Sequence, residues 1–145
     1  MSLVFKNVIL RLGEMALELD FALDRKVTGL FGRSGSGKTS VLELVAGLRR
    51  PEQGLIELDG APLTNIAQRI FVPARKRAIG YVPQDLALFP HLNVRNNLLY
   101  GQKKNEEPLP LFHFDHVVDV LEMDRLVERD IAEISGGEKQ RVGLA

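Results

Sequence analysis

A run of nine residues in the first third of the chain combines glycines, hydroxyl residues and a lysine at a spacing suited to phosphate. Glycines permit backbone torsions that are closed to other residues, so successive N–H groups can turn inward around phosphate oxygens. We expect Lys38 to reach the β- and γ-phosphates of a nucleotide and the Thr39 hydroxyl to be a ligand of the bridging Mg²⁺. The candidate phosphate-binding residues are Gly32, Arg33, Ser34, Gly35, Ser36, Gly37, Lys38, Thr39 and Ser40.

The segments on either side of this run agree with such a loop. Val27 to Phe31 is a short apolar run that predicts a strand, and apolar residues from Ser40 to Leu48 have helical spacing. A strand, a glycine-rich loop and a helix in this order bring the positive end of the helix to the phosphates. The alternative to a phosphate-binding loop is a glycine-rich turn without a ligand. Such a turn does not require a strand before it and a helix after it, whereas the phosphate-binding motif does. Arg33 either adds charge near the phosphates or is simply solvated, as exposed arginines usually are.

A second glycine motif lies near the other end of the chain. Ile134 is followed by Ser135, Gly136, Gly137 and Glu138, at the start of a predicted helix. A serine hydroxyl and two flexible backbone N–H groups at a helix start form an anion cradle that is too small to hold a nucleotide alone. A serine helix cap without a ligand is the alternative interpretation.

These two motifs together resemble those of ABC ATPases, in which residues 134–141 correspond to the signature. The run from Gly80 to Asp85 is similar to the glutamine loop of the same family. The resemblance implies ATP and Mg²⁺ as cofactors, with Lys38 and Gln84 acting in catalysis and Thr39 and Gln84 binding the metal. It also implies a homodimer, because the signature residues act on the nucleotide held by the partner subunit. The residues that act in trans are then Ser135, Gly136, Gly137 and Glu138.

Three further runs are similar to importers within that family: Arg75 to Asp85, Leu88 to His91, and Val94 to Gly101. The last of these resembles the ATP-binding subunit of molybdate importers. The resemblance implies an ATP hydrolase at the cytoplasmic face of the cell membrane. It would drive molybdate import through a permease contacted by about Ala87–Asn97, with a substrate-binding protein involved indirectly. Sulfate or another solute is the alternative cargo, and a patch buried within the domain is the alternative interpretation of Ala87–Asn97.

Composition limits the classes of partner. Nineteen basic and nineteen acidic residues cancel, so no cationic field favours nucleic acid. The sequence has no cysteine, which removes disulfides, thiolate catalysis and zinc–thiolate sites. Its longest apolar runs fall short of the roughly 20 residues that a membrane-spanning helix needs. We therefore expect any membrane link to come through another chain. A soluble ABC-superfamily ATPase that acts on nucleic acid or ribosomes is the alternative function.

The whole pattern predicts an α/β fold with a P-loop core, an antiparallel β-subdomain and a helical subdomain. Residues 1–31 and 54–72 are assigned to the β-subdomain and residues from about 88 to 136 to the helical one. Strands are predicted at 4–10, 15–21, 27–31, 55–58 and 79–82, with turns at Gly13-Glu14 and Asp59-Gly60. Asn93 and Asp115 are predicted to cap helices at 94–100 and 117–123, and a last helix is predicted from Gly137. The polar run from Gln102 to Pro110 is predicted to be an exposed loop.

The end of the sequence predicts a single nucleotide-binding domain, 1–145, that is incomplete. Leu144 and Ala145 stop inside an apolar pattern, without a glycine cap or a following proline. In the family that the chain resembles, the Walker B strand, the catalytic glutamate and the switch histidine would follow. We therefore expect the 145-residue chain alone to bind nucleotide weakly and to show no turnover.

Neither the histidines nor the first hairpin supplies the family's remaining functional groups. The positions of His91, His113 and His116 do not suit the missing histidine, so we interpret them as surface or contact residues. The family's adenine-stacking aromatic is absent from Arg11–Glu14. Arg11 either stacks on the base through its planar guanidinium or is solvated.

Overall fold

The computed structural model describes residues 2–102 and 113–145 of the chain. They belong to two units, Met1–Tyr81 and Val82–Ala145. The predicted loop from Gln102 to Pro110 falls almost entirely outside the described residues.

Alternating apolar and polar side chains at the start of the chain form the hairpin predicted from the sequence. β1 (Leu3–Leu12) and β2 (Met15–Leu23) pair antiparallel through a turn at Gly13. β3 (Gln53–Leu58), β4 (Ala61–Asn65) and β5 (Ile70–Phe71) continue the sheet in the order β2-β1-β3-β4-β5. All four pairings are antiparallel, and the predicted turn at Asp59-Gly60 joins β3 to β4. The predicted hairpin, the strand at 55–58 and both turns are therefore confirmed.

β1, which lies between β2 and β3, carries an irregularity that a glycine on β3 accommodates. The register of β1 shifts between Phe5 and Val8, where Asn7 has a positive φ of 48°. Gly54 faces this bulge, and a Cβ atom there would lie 2.5 Å from the Asn7 carbonyl oxygen. Its φ of 100° is also unfavourable for any residue with a side chain. Only glycine therefore lets β3 approach the bulge closely.

One helix covers the sheet of the first unit. α1 (Lys38–Ala46) starts and ends two residues earlier than the sequence predicts, because Gly37 precedes it and Gly47 closes it with a φ of 78°. Its buried face packs on side chains from three strands, and this burial provides most of the hydrophobic stabilisation of the unit. The core residues are Phe5, Val8, Leu10, Val41, Leu44, Ile56 and Leu63.

Two predicted strands do not form. Residues 27–31 and 79–82 have the apolar composition of strands, but neither run is assigned to a strand. Within residues 2–102 and 113–145, neither run makes a ladder hydrogen bond, and a strand requires such a partner. Val27 and Phe31 are instead 89% and 93% exposed. β2 therefore ends at Leu23, and the predictions of strands at 27–31 and 79–82 were wrong.

The described part of the second unit is helical. It contains α2 (Val94–Leu98), α3 (Phe114–Val120) and α4 (Gly136–Leu144), together with a 3₁₀ turn at Ile131–Glu133. Their apolar faces share one core, formed by Val94, Val118, Met123, Leu126, Val127, Ile131, Ile134 and Val142.

The predicted helix starts of this unit have mixed outcomes. The Asn93 side chain accepts a hydrogen bond from the Asn96 N–H, so the predicted cap of α2 is confirmed, although α2 ends two residues early. Asp115 does not cap α3. That helix begins at Phe114, which packs against the core, and Asp115 lies in its first turn, where a carboxylate favours the helix dipole. The last helix is confirmed, starting one residue earlier than predicted.

None of the helices in the described ranges combines the length and the apolar character needed to cross a bilayer.

The bulge on β1 leads to a paired test on two glycines. Both Gly54 and Gly60 have positive φ, but an added Cβ meets nothing within 4 Å at Gly60. Gly60→Ala should lower the free energy of unfolding by about 1 kcal/mol through backbone strain alone. Gly54→Ala should cost about 3 kcal/mol or more, because it also forces β3 away from β1. Urea unfolding measures both losses, and equal losses would contradict the close approach.

Candidate functional site

The candidate phosphate loop lies in the first unit, between the end of the sheet and α1. A turn closes the loop, with the Ser36 N–H donating to the Arg33 carbonyl at 3.2 Å. Gly35 and Gly37 have φ values of 80° and 89°, and α1 begins directly afterwards at Lys38. Two of the three loop glycines, Gly35 and Gly37, therefore adopt the left-handed conformation.

The start of α1 has no cap of its own. No side chain accepts a hydrogen bond at its N-cap, Gly37, and its first turn carries no acidic residue. The first N–H groups of a helix have no partner within the helix and form its positive end. Water can satisfy them one by one, and a bound anion can satisfy several of them together. This donor set fits the phosphates of a nucleotide.

Lys38 lies over the loop. Its Nζ atom donates to the carbonyl oxygens of Gly32 at 2.9 Å and Arg33 at 2.7 Å. A Cβ atom on Gly32 would come within 2.7 Å of the Ser36 hydroxyl oxygen, so a side chain there would disturb the loop. The loop thus concentrates one cation and the uncapped helix start in the same place.

The hairpin supports the loop from one side. A Cβ atom on Gly37 would lie 3.2 Å from both δ-carbons of Leu17, which belongs to β2. Leu17 also packs against the core beneath α1. The position of the loop therefore depends on the sheet as well as on its own glycines.

The remaining candidate residues of the loop differ in exposure. Arg33, Ser34 and Thr39 are exposed, whereas Ser40 is buried. Thr39 consequently presents a hydroxyl at the surface in the first turn of α1. Ser40 can contribute its backbone N–H to that turn, but its side chain faces the interior.

Ser135 begins α4 in the second unit, where it forms a capping box. Its hydroxyl oxygen accepts from the Glu138 N–H at 3.3 Å, and its own N–H donates to Glu138 Oε2 at 2.7 Å. A hydroxyl that accepts one bond can still donate its proton, so the cap and a contact with an anion are compatible. Gly136 and Gly137 are exposed in the first turn, with open space where a Cβ would stand.

The carboxylate of Glu138 is stabilised in its charged form. The backbone N–H of Ser135 holds the pKa of Glu138 below its ordinary value, and the Ser135 hydroxyl, Arg129 and Arg141 act in the same direction. Desolvation opposes them. The start of α4 therefore contains its own anion, in contrast to the start of α1.

Gln84 lies in the second unit, in an exposed turn where the Leu86 N–H donates to the Pro83 carbonyl at 3.0 Å. Thr39, the other predicted Mg²⁺ ligand, belongs to the first unit. A metal site shared by these two residues therefore stays a prediction. In the described ranges, no cluster of three or more histidine, aspartate or glutamate side chains could hold a metal ion.

Arg11 and the three histidines all lie at the surface. Arg11 forms an exposed ion pair with Glu52, with 3.3 Å between Nε and Oε2. His91 stands edge-on to the Phe89 ring, with 6.1 Å between ring centroids, and it is exposed. His113 and His116 are exposed at the start of α3.

Sequence reasoning missed two polar side chains that organise the backbone. The amide nitrogen of Asn97 donates to the carbonyls of Phe89, Leu92 and Asn93, and its oxygen accepts from the Phe89 N–H. Asn97 therefore holds the turn inside the segment Ala87–Asn97. The other is Arg77, which is only 4% exposed and whose pKa burial lowers. Neither residue has a local sequence signal that separates it from its neighbours.

Comparison with known proteins places these features in a family. The sequence model described as "ABC transporter" matches residues 17–145. The chain belongs to the ABC transporter family. The molybdenum import ATP-binding protein ModC of Rhizobium johnstonii is 50% identical over 134 residues, which are 92% of this chain and 38% of that protein. ModC of Pasteurella multocida is 46% identical over 139 residues, or 95% of this chain and 38% of that protein. This ABC transporter chain therefore spans 38% of the length of these curated relatives.

Solved structures agree on the fold. A dimeric post-hydrolysis structure of the ATP-binding cassette MJ0796, bound to ADP and Pi, has a TM-score of 0.66 and 25% identity, and the match covers 98% of this chain and 67% of that one. An ATP-bound bacterial Atm1-family ABC exporter has a TM-score of 0.73 and 23% identity, over 99% of this chain and 26% of that one. The predicted P-loop cassette fold, with an antiparallel sheet and helices, is thereby confirmed for this ABC transporter chain.

The capping box leads to a prediction on pH. Because the pKa of Glu138 is lower in the folded protein, the box stabilises fully above the unfolded glutamate value of about 4.3. That contribution is lost as the pH falls through the folded value. Glu138→Gln keeps an acceptor for the Ser135 N–H but cannot ionise. The stability difference between wild type and this variant should therefore shrink in acid.

Urea unfolding of both proteins from about pH 7 to pH 3 measures this difference. Ser135→Ala serves as the control: it should cost about 1 kcal/mol by removing the hydroxyl. It should nevertheless keep most of the pH dependence, because the backbone N–H remains. A difference between wild type and Glu138→Gln that does not vary with pH would contradict the assignment.

Proposed function

We propose that the protein is the ATP-binding, energy-coupling subunit of an ABC import complex and that it binds Mg-ATP at residues 32–40. The observation that carries this proposal is the start of α1, where uncapped helix N–H groups and the Lys38 ammonium converge on one loop. No nearby carboxylate in the first turn competes with the phosphates. The sheet below fixes the loop through Leu17, which supports a preformed site.

Each residue of the loop has a role in this proposal. Backbone N–H groups from Gly35 to Thr39 hold phosphate oxygens, and Lys38 exchanges its loop carbonyls for the β- and γ-phosphates. Thr39, whose hydroxyl is exposed, and Gln84 would supply oxygen ligands to Mg²⁺. When bound, Mg²⁺ would neutralise charge that develops on the phosphates during hydrolysis. Arg33 is exposed and adds positive charge at the rim of the loop.

A second copy of the chain completes the site in the proposed mechanism. Ser135, Gly136, Gly137 and Glu138 then contact nucleotide bound to the P-loop of the partner, head to tail. The dimeric state of the related cassette MJ0796 supports this arrangement. The open space at both glycines of α4 is suited to a close approach by phosphate.

The names of the relatives support a proposal for the cargo, and a permease partner is part of the same proposal. Similarity to molybdenum import ATP-binding proteins supports molybdate as the imported solute. In this proposal residues 1–145 form a nucleotide-binding domain whose helical part, about 88–136, presents Ala87–Asn97 to a permease. A substrate-binding protein delivers cargo to that permease from the other side. The full-length protein hydrolyses ATP at the cytoplasmic face of the cell membrane.

The phosphate loop is tested by two substitutions of cations. Lys38→Ala removes the cation that the structure places over the loop, and it should lower the affinity for Mg-ATP by about a hundredfold or abolish turnover. Arg33→Ala removes an exposed charge and should change affinity by less than about threefold. Titration of Mg-ATP into full-length wild type and both variants measures this. Wild-type binding and turnover by Lys38→Ala would show that the site is misplaced.

The action of α4 in trans is tested by adding a charge. Gly137→Asp places a carboxylate where a partner's phosphate should approach, so ATP-dependent dimerisation should be lost while binding to the monomer stays within about twofold. Gly60→Asp adds the same charge at an exposed turn of the other unit and should leave dimerisation intact. Light scattering with and without Mg-ATP distinguishes the two outcomes. Normal dimers of Gly137→Asp would refute the role in trans.

A further inference from the structure

Arg77 is a buried cation whose donors are all used. Its Nε donates to the Val72 carbonyl at 2.7 Å, and its Nη1 donates to the carbonyls of Leu44 at 2.8 Å and Val45 at 2.9 Å. Its Nη2 donates to the Leu63 carbonyl at 3.3 Å and the Thr64 hydroxyl at 3.0 Å. These five bonds use the five N–H groups of a guanidinium, and all five acceptors are neutral.

These bonds join three separate elements of the first unit. Leu44 and Val45 lie in the last turn of α1, Leu63 and Thr64 lie on β4, and Val72 follows β5. Carbonyls at a helix C-terminus have no partner within the helix and form its negative end, so they favour a cation.

The surroundings of the guanidinium are shaped to receive it. The Phe71 ring faces it, with 5.1 Å from Cζ to the ring centroid. A side chain on Gly47 would collide with the guanidinium, because a Cβ there would lie 2.8 Å from its Cζ atom. Arg77 therefore occupies a site built from the end of α1 and the sheet.

Anchoring this end of α1 constrains its other end. A nine-residue helix is a short rod of about 13 Å, so fixing its last turn also limits the tilt of its first turn. That first turn carries the uncapped N–H groups and Lys38. Leu17 supports the loop end of the rod and Arg77 holds the opposite end, which together define the direction in which the N–H groups point.

We propose that Arg77 is a positioning residue for the phosphate loop, which it holds in a binding geometry through α1 without touching nucleotide. This proposal rests on the proposed nucleotide site. Preorganisation lowers the ordering cost at the moment of binding, so loss of the anchor weakens affinity. A side chain that served only overall stability would affect the unfolding temperature but not the affinity of the folded protein.

The test compares the same substitution at two neighbouring arginines. Arg77→Met keeps a long side chain but removes the charge and every donor, whereas Arg75→Met changes an exposed residue of the turn Ala74–Lys76. At a temperature where circular dichroism shows both full-length variants folded, Arg77→Met should raise the dissociation constant for Mg-ATP about tenfold. Arg75→Met should stay within about twofold of wild type. Arg77→Lys offers three donors instead of five, so its dissociation constant should lie between those of Arg77→Met and Arg75→Met.

Hydrogen exchange provides a readout that needs no nucleotide. In the nucleotide-free protein, amides of residues 32–41 should exchange about fivefold faster in Arg77→Met than in wild type, while those of the β1–β2 hairpin stay unchanged. Unchanged loop exchange and unchanged affinity in a folded Arg77→Met protein would overturn the proposal.

A second variant decides the case if Arg77→Met does not fold. Thr64→Val has nearly the same shape but removes one acceptor of the guanidinium at a fully buried position. It should raise the dissociation constant about threefold and accelerate loop exchange, and wild-type values for both would overturn the proposal. If wild type itself bound no Mg-ATP, the proposed function would fail, and the exchange measurement alone would still decide whether Arg77 orders the loop.

Discussion

The first unit depends on one buried guanidinium that has no charged hydrogen-bond partner. Burying an unpaired cation is costly, and here the cost is offset by five hydrogen bonds, the negative end of α1 and the Phe71 ring. Removing any acceptor would leave an N–H group buried without a partner. The position of α1 on the sheet is consequently specified by directional bonds as well as by apolar packing, which alone tolerates sliding.

The same helix explains why the phosphate loop can attract an anion. Both α1 and α4 begin at glycine-rich motifs, yet their electrostatics differ. At α4 the Glu138 carboxylate and the Ser135 hydroxyl already satisfy donors of the first turn. At α1 no side chain does so, and Lys38 adds a full charge. The start of α1 is therefore better suited than the start of α4 to hold a highly charged ligand.

Local patterns predicted local structure well. The alternation of Met15 to Phe21 and the turn at Gly13 specify a hairpin, and the phosphate motif located the start of α1 to within two residues because glycine and lysine determine it locally. The strands at 27–31 and 79–82 failed because their apolar composition says nothing about whether a partner strand is present. Arg77 was missed for a related reason. It follows two exposed cations, and four of its five hydrogen bonds are to residues 13 to 33 positions away.

In the proposed function, residues 32–40 form a phosphate site whose geometry the sheet sets in advance. The most direct measurement is a crystal structure of the full-length protein with Mg²⁺ and a non-hydrolysable ATP analogue. Lys38 should leave the carbonyls of Gly32 and Arg33 for phosphate oxygens, Thr39 should contact the metal, and the bonds of Arg77 to α1 should be unchanged. A nucleotide bound elsewhere would contradict this assignment of the site. So would a bound nucleotide beside which Lys38 keeps its hydrogen bonds to both loop carbonyls.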